Sequence, residues 1–174
     1  FLKDRLGERV FAAGIDIVDD PRRRRGLKSR PCDGEGVVTA RRAIVEDGVL
    51  ATWLLDSSAA RQLGLKTTGH ASRGAGGPPS PAPSNLTLEP GACTPSELMA
   101  DIKSGFYVTE LIGFGVNAIT GDYSRGAAGF WIVDGAIAHP VSELTIAGNL
   151  KDMFRSLAAA DDLTFRTGTD SPTV

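Results

Sequence analysis

The sequence predicts an α+β domain dominated by β-structure, in which a few short helices pack on an antiparallel sheet that is curved or barrel-like. Two apolar runs rich in β-formers are each interrupted by Asp-Gly, at residues 47–48 and 134–135. This dipeptide favours the type I′ turn of a β-hairpin, because both central residues need positive φ. The arm VLATWLL, residues 49–55, is apolar on both faces, which is typical of a strand between two layers or inside a closed sheet.

Size and charge limit the classes of function. The chain has 174 residues, of which 41% are hydrophobic, so it can bury the core of one ordinary domain. A net charge of -2 favours no direct contact with nucleic acid, and no apolar run is long enough to span a membrane. Cys32 and Cys93 match no metal-binding spacing, so we expect reduced thiols in the cytoplasm. Because the chain begins with Phe1 and shows no signal peptide, we expect a fragment whose N-terminal part lies upstream.

The first quarter of the chain predicts a strand followed by a basic loop. The stretch RVFAAGIDIVDD has the composition of a strand. The run Arg22–Arg25 suggests an electrostatic contact, but Pro21, Gly26 and Pro31 surround it and favour a solvated loop.

The next segments predict a hairpin, a short helix and a flexible loop. The hairpin covers residues 37–57, and the helix SSAARQLG follows it, capped by Ser57 or Asp56 and ended by Gly64. Gly and Pro dominate residues 70–84, which we expect to form a flexible loop that acts as a lid or as a flap facing a partner.

The middle of the chain contains the clearest helix signal. After a brief strand, NLTLEPG, the segment TPSELMADIKSG has a capping box of Thr94 and Glu97, Pro95 at its first helical position, and Gly105 as its predicted end. The segment FYVTELIG then predicts a strand.

The last third predicts a second hairpin, a helix and a final strand. The hairpin covers residues 126–141. The segment TIAGNLKDMFRSLAAADD has the apolar stripe of an amphipathic helix, with Asn149 able to cap it. The segment LTFRTGTDSPTV predicts a short strand.

The histidines form none of the common catalytic motifs. Neither His70 nor His139 belongs to H-E-x-x-H, and we expect two unrelated surface histidines. The chain also has no G-x-S-x-G elbow and no Walker A loop, and the G-x-G at Gly113 and Gly115 lacks the following helix of a dinucleotide site.

One polar segment between the predicted strands is the candidate binding site. In one interpretation it is a demanding turn, in which Asp122 accepts backbone N–H bonds and Arg125 pairs with Asp122 or with a carbonyl. In the other it lines a groove that binds an extended peptide or a partner. Both interpretations stay open. The candidate residues are Asn117, Thr120, Asp122, Tyr123, Ser124 and Arg125.

Three segments carry a resemblance to a known family. They are DGEGVVTARRAIVEDGVLATWLL, GLKTTGH and VTELIGFGVNAITGDYSRGAAGFWIVDGAIAHPVSELTIAGNLKDMFR. Together they resemble the C-terminal half of the TldD/PmbA family, most closely its PmbA (TldE) branch, so residues 1–174 are expected to be a C-terminal domain of that type. The family was first described as a modulator of DNA gyrase. Its two branches resemble the halves of a heterodimeric cytoplasmic metallopeptidase that trims peptide precursors and degrades unfolded peptides.

The resemblance implies a supporting role for this chain. In the family the TldD branch carries the zinc, through an H-E-x-x-x-H motif that precedes the matched region and a Cys near the C-terminus. Neither can be carried over. The matched region begins after the motif, and the chain reads RTGTDSPT where that Cys would be sought. The implied protein is a non-catalytic subunit with no cofactor of its own and no metal ligands, partnered by a TldD-type subunit and by unfolded peptide.

Other interpretations stay open. One is a self-sufficient metallopeptidase with ligands upstream that work with His70 or His139. Another is a non-enzymatic regulator or binding module linked to DNA gyrase. Whether the chain forms a homo-oligomer in isolation is also open. The run Arg22–Arg25 and the insert RGAGGPPSPAPS depart from the family pattern, so no family role transfers to them.

Overall fold

The computed structural model describes residues 4–174, so the first three residues of the predicted domain lie outside the described part. It contains three sheets and three short helices, which confirms the predicted β-dominated α+β class. Among the strands of residues 4–174, all pairs are antiparallel except β10 with β6. The elements in chain order are β1 (Ile17–Asp19), β2 (Arg42–Glu46), β3 (Val49–Leu50), α1 (Ser57–Leu63), β4 (Ala71–Ser72), β5 (Ser80–Pro81), β6 (Leu86–Leu88), α2 (Pro95–Ala100), β7 (Ser104–Ile112), β8 (Asp122–Val133), β9 (Ala136–Asn149), α3 (Leu150–Arg155) and β10 (Thr169–Asp170).

The five-stranded sheet has the order β10-β6-β1-β2-β3. Its β2–β3 hairpin turns at Asp47 and Gly48, whose φ angles of 46° and 75° confirm the predicted type I′ chemistry. The predicted second arm, residues 49–55, is too long. The N–H groups of Ala51 and Thr52 both point to the carbonyl of Ile44, so regular pairing stops after Leu50.

The predicted first strand is also shorter than expected. Only Ile17–Asp19 of the stretch RVFAAGIDIVDD pairs in the sheet. Upstream of it, the N–H groups of Val10 and Phe11 donate to the carbonyl of Gly48. This part of the chain therefore wraps the hairpin turn instead of extending β1.

The Gly/Pro segment forms a small hairpin at its ends, where β4 pairs with β5 over two residues each. Ala71 is fully buried, and its N–H donates to Asp33 Oδ2 at 3.0 Å. The first strand of the segment is therefore anchored to the body of the protein, while the flexibility of residues 70–84 stays a prediction.

Helices α1 and α2 begin as the sequence predicts. Asp56, and not Ser57, caps α1 by accepting from the Ala59 N–H at 2.7 Å, and Gly64 ends it with φ of 69°. The capping box of α2 is complete. The predicted end of α2 at Gly105 is wrong, because the helix stops at Ala100 and the chain enters β7 at Ser104.

The three-stranded sheet β7-β8-β9 contains the longest strands, of 9, 12 and 14 residues. Its β8–β9 hairpin turns at Asp134 and Gly135, with φ of 45° and 78° as predicted for the second Asp-Gly. The predicted helix over residues 145–162 is too long at both ends. It begins at Leu150, because β9 continues to Asn149, and it stops at Arg155. Asn149 then caps α3, as predicted.

None of the helices in residues 4–174 is long and apolar enough to cross a membrane.

The core lies beside the five-stranded sheet and mixes apolar and polar side chains. The buried apolar residues include Ile15, Val18, Val45, Leu50 and Leu55. The buried polar residues include Asp19, His70, Ser84, Asn85 and Thr87.

Candidate peptide-binding site

Asn117 organises the turn that joins β7 to β8. Its Oδ1 accepts the N–H groups of Ile119 at 3.0 Å and Thr120 at 3.2 Å. Its backbone N–H donates to the Asp122 carbonyl, and its own carbonyl accepts from Gly121, both at 2.8 Å. Asn117 therefore does the turn-forming work that the sequence assigned to Asp122.

Asp122 instead links the turn to the cap of α3. Its Oδ2 accepts the Thr120 hydroxyl at 2.6 Å, and its Oδ1 accepts the Asn149 side-chain amide at 3.2 Å. These two hydrogen bonds hold the pKa of the exposed Asp122 carboxyl below its usual value, the Thr120 bond contributing most. The prediction that the Asp122 carboxylate accepts backbone N–H bonds is wrong, because Asp122 begins β8 and its two carboxylate oxygens accept side-chain donors.

Arg125 contacts the neighbouring strand. Its guanidinium Nη2 donates to the carbonyl of Leu111 at 3.2 Å, which is one of the two pairings expected from the sequence. Its Nε is buried and has no hydrogen-bond partner among the described residues. Arg125 therefore holds β8 against the end of β7 while one donor stays unused.

Tyr123 and Ser124 point to opposite faces of β8, since successive side chains alternate along a strand. Tyr123 lines a groove of about 640 Å³ between the three-stranded sheet and α2. Ser124 is exposed, and its N–H donates to the Gly115 carbonyl at 2.7 Å. The other lining residues of the groove include Leu98, Met99, Phe106, Leu111, Ile132 and Met153.

The six predicted residues do not all line one depression, and their role in binding a peptide or partner stays a prediction. Asn117, Asp122, Tyr123 and Ser124 share a shallow depression beside Phe114. Thr120 is turned toward Asp122, and Arg125 toward Leu111. The turn interpretation accounts for most of their contacts, and only Tyr123 also reaches the larger groove.

Sequence reasoning missed a second apolar groove, of about 400 Å³, which residues of the turn also line. The rings of Phe11 and Phe154 stack there with centroids 4.6 Å apart, and Asn117 and Gly121 lie at its rim. The apolar stripe of α3 indicated that Phe154 would face inward, but no local pattern could have identified Phe11 as its partner.

The two histidines lie in different environments. The expectation of two surface histidines is wrong for His70, which is 1% exposed, and correct for His139, which is exposed on β9. His70 Nε2 lies 3.1 Å from Asp19 Oδ2, and Nδ1 lies 2.8 Å from Thr68 Oγ1. Both ring nitrogens are thus engaged by buried partners.

The Asp19 carboxylate is the centre of this buried network. It also accepts the Ser84 hydroxyl at 2.6 Å and the Ser84 N–H at 2.8 Å. Burial by itself raises the pKa of Asp19, but the hydrogen bonds from His70 and Ser84 outweigh it and leave the pKa below its usual value. The network joins β1 to both ends of the Gly/Pro hairpin.

A zinc ion does not fit the side chains that the structure describes. Across residues 4–174, His, Cys, Asp and Glu form no group of three that could hold a metal ion. A zinc site needs at least three such ligands, with neutral imidazole nitrogens free to coordinate.

The whole chain matches a known family of domains. Residues 1–174 match the PmbA/TldA metallopeptidase C-terminal domain. The chain belongs to this family. The expected resemblance to the PmbA branch is confirmed, since the relatives include metalloprotease PmbA of Escherichia coli O157:H7, 49% identical over 157 residues. A PmbA homologue of Haemophilus influenzae is 45% identical over 168 residues.

The chain spans only about a third of the length of these PmbA relatives. It spans 33% of the Escherichia coli protein and 36% of the Haemophilus influenzae protein, while 90% and 96% of the chain are matched. A crystal structure from Thermotoga maritima, described as a candidate modulator of a DNA gyrase, superposes with a TM-score of 0.86 at 37% identity, over 98% of this chain and 40% of that one.

A further solved structure supports the fold alone. TldE from Thermococcus kodakarensis has a TM-score of 0.87 at 24% identity, and the match covers 98% of this chain and 40% of that chain. The PmbA/TldA fold is thus shared by proteins whose sequences have diverged widely.

Proposed function

We propose that this chain is the C-terminal domain of a PmbA/TldE-type subunit that pairs in the cytoplasm with a TldD-type zinc metalloprotease. In this proposal the chain supplies no catalytic group. It helps to shape the channel through which unfolded peptides reach the partner's metal. The family membership and the names of the PmbA relatives support the link to proteolysis.

The main support for the non-catalytic role is the burial and hydrogen bonding of the His70 imidazole. The ring is buried, and both nitrogens are hydrogen-bonded to Asp19 and Thr68. Binding a metal through either ring nitrogen would break one of these buried hydrogen bonds. Loss of the Nε2 contact would leave the buried Asp19 carboxylate with its Ser84 donors but without its imidazole partner, which is costly. The alternative in which His70 completes a metal site with upstream ligands is therefore disfavoured.

The three-stranded sheet offers a surface for peptide or partner. Within the described residues, β7 and β9 each pair only with β8, so both outer edges expose backbone donors and acceptors. An extended peptide can add to such an edge as a further strand. Along β7, Leu111 and Ile112 are 40% and 55% exposed, and Phe114 beyond it is fully exposed. Tyr123 and the 640 Å³ groove beside it would contact side chains of the same peptide.

The test is reconstitution of the full-length protein with its TldD-type partner. We expect a complex that cleaves an unfolded polypeptide and loses activity with a chelator, while the protein without partner is inactive. Chelator-sensitive hydrolysis by the protein alone would contradict the proposal.

A pair of variants tests the partner-facing surface. Phe114→Ser removes an exposed ring at the tip of the β7–β8 connection, and we expect weaker association with the partner. Leu27→Ser is the matched control, because Leu27 is 74% exposed but lies in the basic loop. Equal association of both variants would place the contact elsewhere.

A further inference from the structure

The four arginines of the run Arg22–Arg25 divide into two pairs. Arg22 donates from Nε to the Thr39 carbonyl at 3.1 Å and from Nη2 to the Pro31 carbonyl at 3.2 Å. Arg23 donates to Thr87 Oγ1 at 2.6 Å, and its guanidinium lies 3.8 Å from the centre of the Phe165 ring. These two side chains hold the loop to the sheet.

The second pair is exposed. Arg24 and Arg25 make no hydrogen bond or ion pair with any described residue. Arg25 has φ of 60°, a conformation that is unfavourable for a residue with a Cβ and that turns the chain sharply at this point. The loop therefore presents two unneutralised guanidinium groups on a strained backbone.

A third guanidinium comes from a distant part of the chain. Arg166 is exposed, and together with Arg24 and Arg25 it lines a pocket of about 130 Å³. Lys28 reaches the same region, with Nζ 3.2 Å from Thr169 Oγ1. In a protein of net charge -2, this is a local concentration of positive charge.

The pocket contains one carboxylate, Asp170, and it does not neutralise these arginines. Its Oδ1 accepts the N–H groups of Arg166 at 2.9 Å and Thr167 at 2.8 Å, and its Oδ2 accepts that of Gly168 at 3.1 Å. These backbone bonds, that of Thr167 above all, keep the pKa of Asp170 below its usual value against the opposing effect of burial. The carboxylate thus stays ionised and stabilises the loop of residues 166–170 by accepting its backbone N–H groups.

We propose that Arg24, Arg25 and Arg166 form a binding site for a compact oxyanion, a phosphate group or a carboxylate. The planar fork of a guanidinium matches the geometry of both groups. The pocket volume suits one such group. A bound anion would relieve the repulsion among three cations that have no carboxylate partner within the described residues.

The test is calorimetric titration of the full-length protein at constant ionic strength. One arm uses inorganic phosphate. A second uses a short peptide with a free C-terminal carboxylate, and a third the same peptide as its C-terminal amide. We expect saturable binding that the double variant Arg24→Gln with Arg166→Gln weakens at least about tenfold, because each guanidinium contributes a charge-assisted hydrogen bond.

The control variant is Arg61→Gln, which removes the same kind of exposed charge from α1. Thermal unfolding of each variant checks that it is folded. Binding of phosphate alone assigns the site to a phosphate group, and binding of the acid but not the amide assigns it to a peptide carboxylate. If neither probe binds saturably, or Arg61→Gln weakens binding as much as the double variant, the proposal is overturned.

Discussion

The two main sheets are stabilised in different ways. Strands of the five-stranded sheet have two to five residues, yet they carry the buried side chains of Asp19 and Thr87, and Asp19 bonds the buried His70. Strands of the three-stranded sheet have 9 to 14 residues, yet most of their side chains are exposed or half-buried. The sheet with the longer strands thus has the less buried side chains.

The difference indicates that the two sheets depend on different kinds of hydrogen bond. Side-chain hydrogen bonds between distant segments compensate for the short strands of the first sheet. The long strands of the second are held by an extended backbone ladder that is interrupted by a few register shifts, so their faces are free to carry exposed apolar side chains such as Ile112 and Ile137. An exposed apolar surface of this kind is typical of contact with another surface.

The largest expected effect is the loss of the Asp19 carboxylate. Asp19→Ala leaves the buried polar groups of His70 and Ser84 without their acceptor, so we expect the free energy of unfolding to fall by about 3 kcal/mol or more. Urea unfolding measures it. Asp161→Ala, at an exposed site, is the control and should change stability by less than about 0.5 kcal/mol. Similar values for the two variants would mean that the buried network does not hold the first sheet together.

The next effect probes the backbone of the second sheet. A Cβ at Gly115 would overlap the Ser124 carbonyl oxygen, so Gly115→Ala should destabilise the protein by at least about 2 kcal/mol. At Gly113, φ is 81° but nothing lies within 4 Å of an added Cβ, so Gly113→Ala should cost only about 1 kcal/mol of backbone strain. Thermal and urea unfolding compare the two. A larger loss for Gly113→Ala would show that positive φ, and not the close approach of the chains, controls this turn.

Local patterns predicted the turns and caps of both regions. Asp-Gly at 47–48 and 134–135, the Thr94–Glu97 capping box and the Asn149 cap each depend on residues within a few positions of one another. The burial of His70 could not be predicted, because Asp19 lies 51 positions away in sequence. The same applies to the candidate site. The local turn was indicated by the sequence, although Asn117 forms it in place of Asp122, but the groove beside Tyr123 is assembled from distant segments.

A smaller effect is expected where the second sheet meets α3. Asn149→Ala removes the side chain that accepts from the Lys151 N–H and donates to Asp122, so it should destabilise the protein by about 1 kcal/mol. Asn149→Asp keeps the capping oxygen but loses the amide donor, and should recover part of the loss. Circular dichroism during urea unfolding gives both values. Full recovery by Asp would show that the cap alone matters and that the link to Asp122 does not.

The smallest effect is a difference in pH dependence. The pKa of Asp19 is lowered in the folded state, because the hydrogen bonds from His70 and Ser84 outweigh its burial. Ionised Asp19 therefore adds stability that is complete above its unfolded pKa of about 3.8 and is lost as the pH falls through the lower folded value. Between about pH 5 and pH 2.5, the wild-type protein should lose stability more steeply than Asp19→Asn, whereas the other carboxylates titrate in both and largely cancel. Urea unfolding at several pH values measures the two slopes. Parallel slopes would mean that burial cancels the hydrogen bonds, and that the network stabilises the first sheet through geometry and not through the charge of Asp19.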